Sequence, residues 1–93
     1  MKEPKAVGFD DLLNVLTTRQ HLAPHESLKH ALTRLISELG VCAQAIEQSL
    51  QRLQVDPQQS IGRLRRTEIL QLARTIHRVW QQRATDVAAT MSP

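Results

Sequence analysis

Between Leu28 and Gly40 the apolar residues Leu28, Ala31, Leu32, Leu35, Ile36 and Leu39 recur at three- and four-residue steps, then stop at a glycine. That spacing stacks them along one side of a 3.6-residue helix, with His30, Thr33, Arg34 and Ser37 opposite. A helix built this way has to bury its stripe against another element. Gly40 suits the left-handed conformation that closes such a helix. The same periodicity occurs three more times. Phe9, Leu12, Leu13 and Leu16 predict a helix over 9–19, with Asp10 and Asp11 in its first turn, where carboxylates favour the helix dipole. Pro24 is read as opening the second helix, which then runs over 25–39, because a first-turn residue has no use for its N–H. The third helix is expected over 42–54, with Ala43, Ile46, Leu50 and Leu53 inward. Asp56-Pro57 marks a turn. Beyond a basic connection over 58–66, Thr67 is read as the cap of a fourth helix over 66–83. Its inward arc is Ile69, Leu72, Ala73, Ile76, Val79 and Trp80. No run alternates apolar and polar residues as a half-buried strand would. The expected fold is all-α, a compact bundle of about four helices over 8–83, with 1–7 and 84–93 as disordered tails.

Composition sets the size and nature of the core. A chain of 93 residues buries only about 60–65% of the surface its unfolded form exposes. Aromatics are 2% of the chain, Phe9 and Trp80 alone, so the core has to be built from Leu, Ile, Val and Ala. So thin a core favours self-association, and a homodimer is expected. The single cysteine, Cys42, has no internal partner for a disulfide and fits a reducing cytoplasm. No apolar stretch is long enough for a membrane span, and none follows Lys2 and Lys5 as it would in a secretion signal.

Net charge is +3, but its distribution is uneven. Residues 63–83 hold six arginines (Arg63, Arg65, Arg66, Arg74, Arg78 and Arg83) against one acid, Glu68, giving +5. Residues 1–62 hold six basic and seven acidic side chains, giving −1. A positive field concentrated in the last third attracts a polyanion or an acidic protein face.

Catalytic and metal-binding patterns are not found. His21 and His25 are separated by Pro24 and share no helical face, while His30 and His77 belong to different helices. No His-x-x-x-His, Cys-x-x-Cys or carboxylate cluster supplies three or four metal ligands. Cys42 begins a helix, which can lower a thiol's pKa, but no dedicated base accompanies it. With three glycines far apart, no phosphate-cradling loop can form. The sequence reads as a non-enzymatic protein with no cofactor and no small-molecule substrate.

The segment over 35–50 carries the most information. Leu39-Gly40-Val41 is followed by the small Cys42, by Ile46 six residues after the glycine, and by Leu50. In these residues the segment resembles the helix-turn-helix of phage repressors and bacterial transcription regulators. Ile36 stands where that family carries a small residue, and Glu47 puts an acid on the second helix. The resemblance implies that Gly40 permits a tight turn, Val41 fills the gap between the helices and Ile46 fixes the second helix at its angle. The outer face of that helix would then enter a DNA major groove. On this reading Gln44, Ala45, Gln48 and Gln51 face base edges, since Gln bonds adenine through two atoms and Ala can touch a thymine methyl. Arg52, Arg63, Arg65 and Arg66 would hold phosphates. A lesser likeness joins Val55-Asp56-Pro57, Leu64, Glu68 and Leu72-Ala73-Arg74 to the small helical C-terminal domain of rRNA adenine dimethyltransferases. It too implies a nucleic-acid partner. The alternative is a helical adaptor or inhibitor that docks on another protein through Arg74, Arg78 and Trp80.

Overall fold

The computed structural model describes residues 8–91, with side chains described through Arg83. Four helices follow in order: α1 (Phe9–Leu22), α2 (Leu28–Leu39), α3 (Ala43–Leu53) and α4 (Arg66–Met91). A single 3-10 turn lies at Ile61–Arg63. Among the described residues the only β-type pairing is one isolated bridge between Ser27 and Ser60. The fold is an all-α bundle of four helices, as the periodicities predict.

Each helix begins and ends for a local reason. At the start of α1 the Gly8 N–H donates to Asp11 Oδ2 at 2.9 Å, which places a carboxylate on the positive end of the dipole. Helix α2 does not open at Pro24. Its N-cap is Ser27, whose Oγ accepts from the His30 N–H at 3.2 Å, so the helix begins at Leu28. Pro24 is instead held outside the helix, where its carbonyl accepts from the Gly62 N–H at 2.9 Å. At the other end of α2, Gly40 adopts φ 75°, its N–H donates to Ile36 O, and Val41 N–H reaches back to Leu35 O. These two bonds close the last turn in the left-handed manner that a glycine makes cheap. Thr67 is not the cap of α4, since it already lies inside the helix. The Glu68 carboxylate accepts from the Arg65 N–H at 2.8 Å and fixes the start there. Helix α4 also continues past Arg83 to Met91, within the stretch expected to be a disordered tail. The stretch from Ala84 to Met91 holds three alanines and neither glycine nor proline, so nothing in it breaks a helix. Of the expected tails, residues 1–7 and 92–93 lie outside the described residues.

The core is aliphatic. Leu12 and Leu16 of α1, Leu28, Leu32 and Leu35 of α2, and Ile69, Leu72 and Ile76 of α4 are essentially closed to solvent. Helix α4 is the spine: α1 packs on one side of it and α3 on another, while α2 packs mainly on α1. The connection over 58–65, the part of the expected basic link over 58–66 that precedes α4, contributes two core side chains of its own, Ile61 and Leu64. It is fastened from three directions. The Gln20 amide donates to Ile61 O and Leu64 O. Leu28 N–H donates to Gln59 O and Ile61 N–H to Glu26 O, both at 2.8 Å. Gly62 approaches Pro24 so closely that a Cβ built on it would lie 2.7 Å from both the Cβ and the carbonyl oxygen of Pro24. The corner between α1 and α2 is further held by Arg19, whose guanidinium pairs with both Glu26 oxygens, at 2.9 and 3.3 Å. That bond holds the Glu26 carboxyl below its usual range.

Candidate nucleic-acid interface

The rotational setting of α3 decides which of its residues a partner can reach. Ala45, Ile46 and Ser49 point into the bundle, while Ala43, Gln44, Glu47, Gln48, Gln51 and Arg52 lie on the solvent side. Ala45 is fully buried, which corrects its assignment as a base-contacting residue. Ala43, expected inward, is exposed instead. Ser49 takes a core position because its hydroxyl donates to Ala45 O at 2.7 Å and so needs no outside partner. In the turn itself Gly40 is left-handed and Val41 and Ile46 are buried. Together they close the turn between α2 and α3.

Helices α3 and α4 run side by side in opposite directions. The Arg83 guanidinium donates to Gln44 Oε1 near the start of α3, while Arg52 at its end meets the middle of α4. There Arg52 and Leu53 form a groove of about 260 Å³ with Gln71, Arg74, Thr75 and Arg78. A second cleft, of about 220 Å³, continues along the same seam between Gln48, Arg52, Val79, Gln82 and Arg83. Among the described residues no acidic side chain lines either one. The ion pairs among the described residues are Arg19–Glu26 and Arg34–Glu38, so Arg52, Arg74, Arg78 and Arg83 have no carboxylate partner there. Like charges gathered without counter-charges repel one another and produce a local positive potential that an incoming anion relieves.

The sequence-predicted residues are therefore regrouped. Arg74 and Arg78, expected to serve a different partner from the α3 glutamines, share one face with Gln48 and Arg52. Arg63, Arg65 and Arg66 are exposed but do not join that seam. Arg66 lies eight residues before Arg74, about 12 Å along the α4 axis. It lines a separate cleft against α1, beside Asp10, Asn14, Thr17 and Gln20. Gln51 is exposed on α3. Trp80 is half-buried and packs on the core. Sequence reasoning missed Gln71, Thr75, Gln82 and Arg83 as parts of the seam. Their signal was the polar series Gln71, Arg74, Thr75, Arg78 and Gln82, which keeps to one side of a helix in the same way that an apolar stripe does.

Cys42 caps the start of α3. Its thiol lies below the usual cysteine range because the backbone N–H groups of Gln44 and Ala45 favour the thiolate, and Arg83 adds to this against the opposing effect of burial. Among the described residues no group of three or more His, Cys, Asp or Glu is placed to hold a metal ion. No described helix is long and apolar enough to cross a membrane. No protein family, curated protein or solved structure matches the chain.

Proposed function

We propose that this chain is a small cytoplasmic regulatory protein that binds DNA along the α3–α4 seam. The observation that carries the reading is the convergence of Arg52, Arg74 and Arg78, all without carboxylate partners among the described residues, on one groove with Gln71 of α4, beside a cleft that Gln48 of α3 lines. Arginine matches phosphate oxygens through two parallel bonds and stays charged at every physiological pH. Gln48 and Gln51 supply the donor–acceptor pair that reads adenine in a major groove. Gln44 contributes only by giving up its bond to Arg83. Arg63, Arg65 and Arg66 extend the positive surface and add phosphate contacts beyond the seam.

Titration of a labelled random duplex at several salt concentrations tests this reading. The three seam arginines account for about −2.7 of the slope in log K against log salt, and Arg63, Arg65 and Arg66 steepen it further. Arg52→Ala, Arg74→Ala and Arg78→Ala each lower the slope by about one unit and weaken all sequences alike, whereas Gln48→Ala and Gln51→Ala relax sequence preference. Absence of binding at low salt, or a triple arginine variant that binds as the parent does, rejects the DNA reading. The seam then serves as the docking face of an adaptor for an acidic protein surface, the second reading that an arginine groove with no acid among its described lining residues supports.

A further inference from the structure

The other flank of α3 faces a different kind of surface. Leu32 and Ile36 of α2, Ala43, Ile46 and Leu50 of α3, and Pro57 border an open groove of about 280 Å³. Ile36 is 37% exposed, and with Leu22 it is one of two large apolar side chains left in solvent among the described residues. The borders of the groove are charged, and with opposite signs. Lys29 stands on the α2 side and Glu47 on the α3 side. Both are exposed, and neither belongs to an ion pair among the described residues.

We propose that this groove is the interface of a homodimer in which a two-fold axis lies along it. Such an axis sets α2 of one copy over α3 of the other. Lys29 then meets Glu47 twice, once on each side, while the apolar residues at the borders of the two grooves pack across the axis. An isologous contact of this kind requires a self-complementary patch, and a groove with one cation on one wall and one anion on the other is self-complementary. A groove shaped for a foreign helix has no reason to carry balanced charges on opposite walls. The register is consistent. Ile36 lies four residues before Gly40 and Ala43 three after it, so the axis brings each Ile36 over the small Ala43 of the other copy. Lys29 is four residues further from the turn than Glu47, a difference of about 6 Å along the helix axes, which a lysine side chain spans. The seam that holds Arg52, Arg74 and Arg78 lies on the opposite flank of α3, so dimerisation is independent of the DNA reading and is measured on the free protein.

Sedimentation equilibrium of the full chain tests the proposal. The expected result is a dimer whose dissociation constant rises about a hundredfold in Ile36→Glu, which carries a charge among those apolar residues. Lys29→Glu and Glu47→Lys each raise it about tenfold, by setting like charges against each other. The double variant, with the charges exchanged, regains affinity over both single variants. All three side chains are exposed, so circular dichroism should show unchanged helix. If Ile36→Glu lost helix, the charge exchange alone would decide the matter. A parent chain that stays monomeric at every concentration, a dimer indifferent to these changes, or a double variant no tighter than the singles overturns the arrangement.

Discussion

Replacement of Gly62 by alanine probes the tightest contact in the bundle. The backbone at Gly62 is not in the left-handed region, which among the described glycines only Gly40 occupies. Alanine therefore meets no conformational obstacle there, and its restriction of the unfolded chain favours folding by about 0.4–1 kcal/mol. Against this stands the new methyl group, 2.7 Å from the Pro24 Cβ and 2.7 Å from the Pro24 carbonyl oxygen. Neither of these atoms can swing aside, because the proline ring fixes one and the backbone the other. The two segments must separate, which strains the bond from Gly62 N–H to Pro24 O at 2.9 Å and its neighbour from Ile61 N–H to Glu26 O at 2.8 Å. Overpacking of this kind costs about 1–3 kcal/mol, which after the gain from the unfolded chain leaves a net loss of up to about 2.6 kcal/mol, about 1.3 kcal/mol at mid-range. In a domain this small that corresponds to a fall in Tm of about 5–15 °C, read by far-UV circular dichroism. Gly40 is the informative contrast. Nothing lies within 4 Å of a Cβ built there, but its φ is 75°. Gly40→Ala is accordingly destabilising through the backbone alone, and Gly40→Asn recovers part of the loss, since asparagine tolerates that conformation. Gly62→Asn recovers nothing. A Gly62→Ala variant that melts at or above the parent temperature would refute the close approach and the packing argument with it.

Two further outcomes follow from individual contacts. The Glu26 carboxyl is held below its usual range by Arg19, so the stability it lends is complete above its unfolded pKa, about 4.3, and is lost as pH falls through the lowered folded value. Glu26→Gln should therefore flatten the acid limb of a stability–pH profile and leave the alkaline limb unchanged, and an unaltered acid limb would mean that the pair contributes nothing. Ser49→Ala, although fully buried, is expected to change stability by less than about 0.5 kcal/mol, because the hydroxyl bonds only to its own helix and alanine is the better helix former; a denaturant midpoint displaced well beyond that would reveal a partner for the hydroxyl other than Ala45.

Legibility in the sequence varied with the size of the side chains that carry the signal. The inward arcs of α2 and α4 are readable because leucine and isoleucine mark them at nearly every turn, except that Ile36, expected on the buried stripe of α2, lies at its edge and is exposed. Five of the six residues expected inward on α4, Ile69 through Val79, are buried, and Trp80 is half-buried. The phase of α3 is readable only in part, since Ile46 is buried and Leu50 and Leu53 pack on the core as expected, whereas Ala43 is exposed. Alanines at 43 and 45 give equal and weak indications, and the decisive inward residue, Ser49, is polar. Its burial depends on a hydroxyl satisfied within the helix, which composition does not reveal. The start of α2 was misplaced because Pro24 and Ser27 are both good helix openers, and the choice between them is made by Gly62 and Ile61, far away in the chain. The positive charge of the last third was evident from the arginine count. Its division between the α3–α4 seam and the α1–α4 cleft depends on which face of α4 meets which neighbour, and only the packed bundle determines that.

The fastening of the 58–65 connection also bears on the order in which the molecule assembles. The two bonds from the Gln20 amide span 41 and 44 residues, so they form only after a loop of that length has closed. Closure of such a loop carries an entropic cost that helix formation within a single segment does not. Helices α1 and α2 can form within their own segments, but the clasp needs the chain as far as Leu64 to return to α1. Until then Ile61 and Leu64 have no core to enter. Release of this strap likewise exposes both halves at once, so the amides of Leu28, Ile61 and Gly62 should exchange their hydrogens only when the whole domain opens.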